Sequence, residues 1–317
     1  MAKRLLNYLN NNSLPIENQY GVRPNYSTEL AIQQLCQHIY DAIDNNLYQI
    51  TVFCDLTKAF DTLSHSILLH KLQTYGIRGK ANEWFKSYLS NRKQYTVFNN
   101  IESAQHNINC GVPQGSILGP LLFLIYINDI TRASKELSFL LFADDTNIFI
   151  KGKNINELQT IVNQELIHIS HWMKSNRLSL NVKKTVFMIS HSSMTQTPNI
   201  MVKIDNISLK QVNETKFLGV NIDNSLRWKS HIEEIKTKIS KITGIIYRIR
   251  ENIHEDSLKQ IYFSLAYPHI IYCCAIWGGA FKTYIDSLFI AQKKYYVLRI
   301  IGNGMTTRTP YSEIKNS

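Results

Sequence analysis

Three aspartates are the residues of this chain best suited to chemistry. Asp144 and Asp145 are adjacent and lie between two short apolar runs, and Asp55 ends a third such run. Two neighbouring charges in an apolar setting are costly unless an ion offsets them, and grouped carboxylates raise one another's pKa. Hard divalent cations suit such oxygen ligands. The aspartates therefore predict a Mg²⁺ site, with Mn²⁺ as the alternative ion.

Paired divalent cations indicate one class of reaction. Two ions about 3.5–4 Å apart can activate a 3′-hydroxyl and stabilise a leaving pyrophosphate in an in-line displacement. The predicted reaction is therefore nucleotidyl transfer. The alternative interpretation of Asp144 and Asp145 is an ordinary turn, because aspartate is favoured in turns.

The pattern of elements must bring the three aspartates together. Period-2 and β-branched runs predict strands, whereas apolar residues at intervals of three and four predict helices. In order, we predict a strand at 49–55, helices at 64–75 and 80–90, strands at 137–142 and 147–150 around a turn at 143–146, a helix at 155–175 and a strand at 184–190. This order is the split βαβ, ferredoxin-like arrangement of an α+β fold, in which the first strand lies beside the hairpin.

The charge is unevenly distributed along the 317 residues. The chain has 35 Lys and Arg against 24 Asp and Glu, a net charge of +11. Residues 1–150 carry 12 of each sign, so the whole excess lies after residue 150. A basic second half predicts a polyanionic partner, either nucleic acid or an acidic membrane surface.

Targeting and membrane signals are weak in this sequence. The N-terminal residues have no sustained apolar region or cleavage site, so we expect a nuclear or cytoplasmic protein without a secretion signal. Residues 260–281 are uncharged, but Pro268 and His269 interrupt them. We expect a buried helix, a turn at Pro268 and a second buried segment there, and no membrane partner.

Several segments together resemble the motifs of reverse transcriptases. Residues 142–145 (FADD) resemble the family's aromatic-x-Asp-Asp box, and residues 53–62 (FCDLTKAFDT) resemble its first carboxylate motif. Residues 111–129 (GVPQGSILGPLLFLIYIND) are similar almost residue for residue to the form found in non-LTR (LINE-type) retrotransposons. Further segments resemble a fingers motif, the next palm motif and the primer-grip hairpin: 19–28, 172–185 and 216–223.

The resemblance implies an activity and an architecture. The activity would be that of an RNA-directed DNA polymerase, which extends a DNA 3′-hydroxyl on an RNA template with deoxynucleoside triphosphates by two-metal nucleotidyl transfer. The architecture would be a right hand. Its expected parts are partial fingers at 1–48, a ferredoxin-like palm at 49–225 with a fingers insertion near 76–110, and a helical thumb with a C-terminal extension at 226–317. The oligomeric state is left open.

The same resemblance implies roles for catalytic residues. Asp55 and Asp144 would be the principal metal ligands, with Asp145 as a weaker ligand beside them. Lys184 would protonate or stabilise the departing pyrophosphate. Phe60 would lie under the sugar of the incoming nucleotide and exclude a 2′-hydroxyl. The alternative for Phe60 is a core aromatic.

Other positions would contact the substrates. Gln114 and Gly115 would contact the template base and the nucleotide, the glycine allowing close backbone approach, although a Pro-Gly turn is the alternative. Arg23 would meet the triphosphate or the template, unless it is only a solvated charge. The primer grip would consist of three consecutive residues: Phe217, Leu218 and Gly219.

The basic excess falls partly on the predicted thumb. Residues 227–250 combine regularly spaced isoleucines with basic side chains, which predicts a helix with one apolar face. Such a helix would present its cations to a phosphate backbone in a sequence-independent, salt-sensitive way. The alternative is a solvated helix face. The candidate contacts are Lys229, Lys236, Lys238, Lys241, Arg248 and Arg250.

Two further interpretations remain beside the polymerase. The chain starts after the family's first fingers motif and without its endonuclease domain, so we expect an N-terminally truncated domain. One alternative is therefore a catalytically inactive retroelement remnant that only binds nucleic acid. The other is a reverse transcriptase of the group II intron or telomerase type, which the segment 111–129 makes less favourable.

Overall fold

The structure of the protein is a computed structural model that describes residues 1–12, 14, 18–113, 115–192 and 197–300, with side chains described up to residue 293. The chain divides into two compact units, Met1–Thr215 and Lys216–Ser317. Among the described residues, no helix is both long enough and apolar enough to cross a membrane.

The first unit places helices around one central sheet. Its helices are α1 (Ala2–Asn11), α2 (Thr28–Asp44), α3 (His65–Thr74), α4 (Lys80–Leu89), α5 (Leu118–Ile127) and α6 (Ile155–Ser175). Its strands are β1 (Tyr48–Cys54), β2 (Arg92–Gln94), β3 (Val97–Phe98), β4 (Ile101–Glu102), β5 (His106–Ile108), β6 (Ser138–Phe142), β7 (Asp145–Gly152), β8 (Val186–Ser190), β9 (Lys203–Ile204), β10 (Ile207–Ser208) and β11 (Lys210–Gln211). A short 3₁₀ helix, Ile130–Ala133, follows α5.

The central sheet has the strand order β11-β8-β1-β7-β6. β1 is antiparallel to both β7 and β8, and β6 is antiparallel to β7. Helices α3 to α5 connect β1 to β6, and α6 connects β7 to β8. This is the predicted split βαβ topology, and the α+β fold class is confirmed.

Local sequence explains the elements on both sides of the sheet. β1 is buried along almost its whole length, consistent with its β-branched and aromatic residues. Asn154 caps the start of α6, and its side chain accepts hydrogen bonds from two backbone N–H groups of the first turn. The buried α6 residues Leu158, Val162, Leu166 and Ile169 recur at intervals of three and four and pack in the core.

The hairpin that carries two of the aspartates is tighter than predicted. The sequence predicts a turn over 143–146, but β6 ends at Phe142 and β7 begins at Asp145, and these two residues pair. Only Ala143 and Asp144 form the turn, with Ala143 in the left-handed region at φ 53°. Asp145 is therefore fixed by the sheet, which a wider turn would not achieve.

The remaining elements form a hairpin followed by helices. The hairpin consists of β12 (Glu214–Phe217) and β13 (Val220–Asp223). The helices are α7 (Lys229–Ile249), α8 (Glu255–Ile261), α9 (Tyr267–Ile271), α10 (Cys274–Trp277) and α11 (Lys282–Ile300). α11 packs against α7.

The predicted turn at Pro268 is wrong. A π-helical turn, Tyr262–Ala266, joins α8 to α9, and Pro268 lies in the first turn of α9. Proline is tolerated there because it lacks the N–H group that a first turn leaves unused, and the wider π-turn accommodates its ring. The helix instead ends at Ile271, and Cys273, two residues later, has φ 54°.

Candidate active site

The fold brings the three predicted metal ligands together. Cys54 of β1 pairs with Thr146 of β7, so their neighbours Asp55 and Asp145 lie at the same end of the β1–β7 pair. Asp145 is exposed as a residue, but three effects together raise the pKa of its carboxyl to about 6. The largest is loss of solvation, and the charges of Asp144 and Asp55 act in the same direction. The three carboxylates thus form one electrostatic cluster.

This donor set suits a hard divalent cation. Within the described residues, no group of three or more His, Cys, Asp and Glu side chains is arranged to hold a metal ion by itself. Mg²⁺, however, is usually bound by one or two carboxylates together with water and substrate phosphates, and not by an all-protein cage. Oxygen donors that repel one another at the end of a strand pair fit that pattern.

A loop at 178–185 holds Asp55 on both sides. The backbone N–H of Asn181 donates to the Asp55 carbonyl at 2.8 Å, and the Asp55 N–H donates to the Thr185 hydroxyl at 3.3 Å. Lys184 is the residue before Thr185, and its side chain is exposed. The backbone at the predicted lysine therefore lies next to the backbone of Asp55.

Gln19 holds the turn that contains Asp144, and the sequence analysis predicted no role for this glutamine. It is 3% exposed, and its Oε1 accepts hydrogen bonds from the N–H groups of Ala143 at 3.0 Å and Gly21 at 2.8 Å. Its Nε2 is buried without a hydrogen-bond partner in the described part of the chain. The next residue, Tyr20, donates to the Leu141 carbonyl at 2.8 Å. The one sequence signal was that Gln19 opens the fingers motif.

Phe60 lies between the core and the surface. Its ring stacks on Phe123 at a centroid distance of 4.6 Å, and its carbonyl accepts from the Val112 N–H at 2.9 Å. The close approach of this loop depends on Gly111, which has φ 79° and where a Cβ atom would lie 2.7 Å from the Asp61 carbonyl. Half-burial leaves both interpretations of Phe60 in place, the sugar contact and the core aromatic.

Three other residues are predicted to contact the nucleotide or the template: Gly115, Gln114 and Arg23. Gly115 is exposed at φ 78°, and a Cβ atom there would meet no atom within 4 Å, so backbone conformation and not packing requires the glycine. Gln114 lies outside the described residues. Arg23 is held by its own segment, where it donates to the Gln19 carbonyl at 3.2 Å and lies 4.2 Å above the Tyr26 ring.

The predicted primer grip is the turn between β12 and β13. Phe217 is buried, and Leu218 and Gly219 both adopt positive φ, at 45° and 87°. The Tyr272 hydroxyl donates to the Leu218 carbonyl at 2.7 Å. This tyrosine fixes the turn from more than fifty residues away, which the local sequence did not indicate.

The six predicted nucleic-acid contacts of α7 fall into two groups. Lys229, Lys241 and Arg248 are exposed and form no ion pair within the described residues. The others pair with acids: Lys236 with Glu233 at 3.4 Å, Lys238 with Glu234 at 2.7 Å and Arg250 with Glu251 at 3.7 Å. A count of charges along the sequence cannot separate these groups.

Comparisons with known proteins agree with the motifs. A family model described as reverse transcriptase (RNA-dependent DNA polymerase) matches residues 1–222. The chain is 27% identical over 314 residues to a probable RNA-directed DNA polymerase from transposon X-element of Drosophila melanogaster, covering 95% of this chain and 33% of that protein. It is 26% identical over 287 residues to the RNA-directed DNA polymerase from mobile element jockey of Drosophila funebris, covering 87% and 31%.

The chain thus spans about a third of the length of these relatives. Among solved structures, a telomerase from Candida tropicalis in complex with a fragment of telomeric RNA is 14% identical. The match covers 94% of this chain and 50% of the telomerase chain, with a TM-score of 0.49.

Proposed function

Because the chain belongs to the reverse transcriptase family, we propose that it acts as the RNA-directed DNA polymerase domain of a non-LTR retrotransposon. Its substrates would be an RNA template, a DNA primer and deoxynucleoside triphosphates. The observation that carries the proposal is the cluster of Asp55, Asp144 and Asp145 at one end of the β1–β7 pair. Related polymerases of mobile elements match nearly the whole chain, and they favour this proposal over a telomerase-like enzyme.

Hydrogen bonds hold the backbone around two of the aspartates. The 178–185 loop fixes the backbone of Asp55, and Gln19 fixes the turn of Asp144. These two aspartates, with Asp145 beside them, would hold divalent cations. When bound, such ions lower the pKa of the attacking hydroxyl and neutralise charge on the leaving pyrophosphate.

Other side chains would bind and select the nucleotide. Lys184 is exposed in the loop 178–185, next to Thr185, whose hydroxyl accepts a hydrogen bond from the Asp55 N–H. There its ammonium would donate to a departing pyrophosphate. The Phe60 ring is backed by Phe123, so it would act as a rigid wall against a 2′-hydroxyl. Side chains that are already fixed by packing lose little conformational entropy when the substrate binds. Such positioning favours the reaction and not only binding.

Primer extension distinguishes the polymerase from a binding-only remnant. The purified chain would be given a DNA primer annealed to an RNA template, deoxynucleoside triphosphates and either Mg²⁺ or Mn²⁺. We expect template-directed extension that stops when a chelator removes the cation. Binding of the primer–template without any extension under both ions would reject the polymerase and favour the remnant.

A further inference from the structure

The outer face of α4 carries a stack of planar groups that the proposed chemistry does not use. Trp84 and Tyr88 are one helical turn apart, and their rings stack at a centroid distance of 5.5 Å and an interplanar angle of 9°. Arg92, four residues further on, has its guanidinium carbon 5.4 Å from the Tyr88 ring centroid. Lys80 precedes Trp84 by one turn on the same stripe. We name these four residues the Trp84 platform.

The platform lies mostly outside the hydrophobic core, since Tyr88 is half-buried against the core but Trp84 is not part of it. The opposite face of α4 is buried through Asn82, Phe85 and Leu89, and the Asn82 amide donates to the carbonyls of Leu69 and Ile77. These contacts fix the helix on the first unit. Trp84, in contrast, is 39% exposed, a considerable fraction for so large an apolar side chain.

A polar groove connects the platform with the candidate nucleotide site. Arg92 lines a groove of about 660 Å³ together with Gln94, Lys58 and Asp61. Residues 111–113 also line the groove, and the Val112 N–H donates to the Phe60 carbonyl. The same arginine therefore ends the aromatic stack and lines the groove.

The charge of this surface favours a polyanion over a protein partner. Residues 78–93 contain five basic residues and a single acidic one. Aromatic planes flanked by cations are the usual means of binding unpaired nucleotides, because every base can stack and every phosphate attracts the cations. An apolar protein contact would not need the surrounding charge.

We propose that the Trp84 platform binds unpaired bases of an RNA strand by stacking and directs that strand into the groove beside the nucleotide site. The RNA would be the single-stranded part of the template, so this proposal rests on the proposed function. Trp84 supplies the first stacking surface, Tyr88 supports it from below, and Arg92 and Lys80 bind phosphates.

The test is the binding of a short oligoadenylate RNA to the full chain without metal or nucleotides. We expect Trp84→Ala to weaken binding about tenfold, the loss typical of one stacked base. Trp84→Phe should retain most of the affinity because it keeps an aromatic plane. The matched control is Tyr40→Ala, which removes an equally exposed aromatic, 39%, from α2 and should leave affinity within about twofold.

A charge measurement gives a second readout. Arg92→Ala should reduce the slope of log affinity against log salt concentration by about one, because one phosphate contact is lost. Equal affinities for wild type, Trp84→Ala and Tyr40→Ala would overturn the proposal. So would a Trp84→Ala variant that binds RNA normally but loses self-association in sedimentation, because the surface would then be a protein contact.

The outcome does not depend on catalysis. The binding measurements contain neither metal nor nucleotides, so they report RNA binding alone. If primer extension fails but the platform variants still lose RNA binding, the platform stands and only the polymerase is rejected. If extension succeeds but the platform variants bind normally, the platform is rejected alone.

Discussion

Gln19 shows at the scale of single residues why a functional side chain can escape sequence analysis. Its partner, the Ala143 N–H, lies 124 positions away along the chain. The aspartates were predictable because adjacent carboxylates between apolar strands are chemically unusual. A buried glutamine is recognisable only once the strand beside it is placed. The same applies to Thr185 and Tyr272, whose hydroxyl groups meet distant backbone.

We expect Gln19→Leu to slow primer extension about tenfold, because two buried N–H groups lose their acceptor and the Asp144 turn loosens. The measurement is kcat with saturating primer–template and nucleotide. Gln33→Leu, an exposed position on α2, is the control and should behave like the wild type. Equal kcat values for both variants would show that the hydrogen bonds to Ala143 and Gly21 do not position the site.

Phe60→Val should admit ribonucleotides, raising their use relative to deoxynucleotides by about tenfold or more, since the wall against the 2′-hydroxyl is removed. The readout is the ratio of kcat/KM for the two sugars on one template. Lost stacking on Phe123 should also lower the melting temperature. A lowered melting temperature with an unchanged ratio would identify Phe60 as a core aromatic only.

At the scale of elements, the sequence specified the palm strands and helices well because their hydrophobic periods are strong. α6 occupies the predicted 155–175 range, and β1 lies within one residue of the predicted strand. The structure differs from the prediction where tertiary contacts determine where an element ends. The β6–β7 turn is narrowed by the pairing of Phe142 with Asp145, and α9 continues through Pro268 because a π-turn precedes it.

The two groups of cations on α7 should contribute unequally to nucleic-acid binding. Removing Lys241 and Arg248 together should reduce the salt slope of duplex binding by about two, because neither has an ion pair in the described chain. The matched double variant Lys236→Ala, Lys238→Ala should reduce it less, since glutamates already neutralise both side chains. Equal reductions would show that the intramolecular pairs do not compete with phosphate.

α7 also makes the second unit sensitive to acid. Burial lowers the pKa of His231 to about 4, so between about pH 4 and 6.5 the unfolded chain binds a proton that the folded chain does not. Hydrogen bonds from Lys216 and Lys238 lower the pKa of Glu234 to about 2, so its contribution is lost as the pH falls below about 4.5. Both effects reduce stability in acid.

The melting temperature of the wild type should therefore fall as the pH is lowered from 7 to 4. The melting temperature of His231→Phe should fall less in the upper part of this pH range. Thermal unfolding followed by circular dichroism across the pH series tests this. A wild-type melting temperature that stays constant from pH 7 to pH 4.5 would contradict the assignment of His231 as a buried neutral side chain.

At the scale of the whole molecule, the net charge of +11 can be assigned to particular parts of the chain. The acids of the first half include the three clustered aspartates, which offset part of its basic charge. The excess after residue 150 lies partly on the outward face of α7. The chain covers about a third of its relatives, so its own activity is the question that a direct assay must answer.

We propose that the aspartate cluster catalyses nucleotidyl transfer, and one pair of variants separates this role from a structural one. Asp144→Asn keeps the size of the side chain but removes a charged ligand, so it should lower primer extension on RNA by about a thousandfold, consistent with losing several kcal/mol of metal-dependent stabilisation. Asp44→Asn, an exposed aspartate at the end of α2, should extend like the wild type. Extension by Asp144→Asn at the rate of Asp44→Asn would exclude a catalytic role for Asp144.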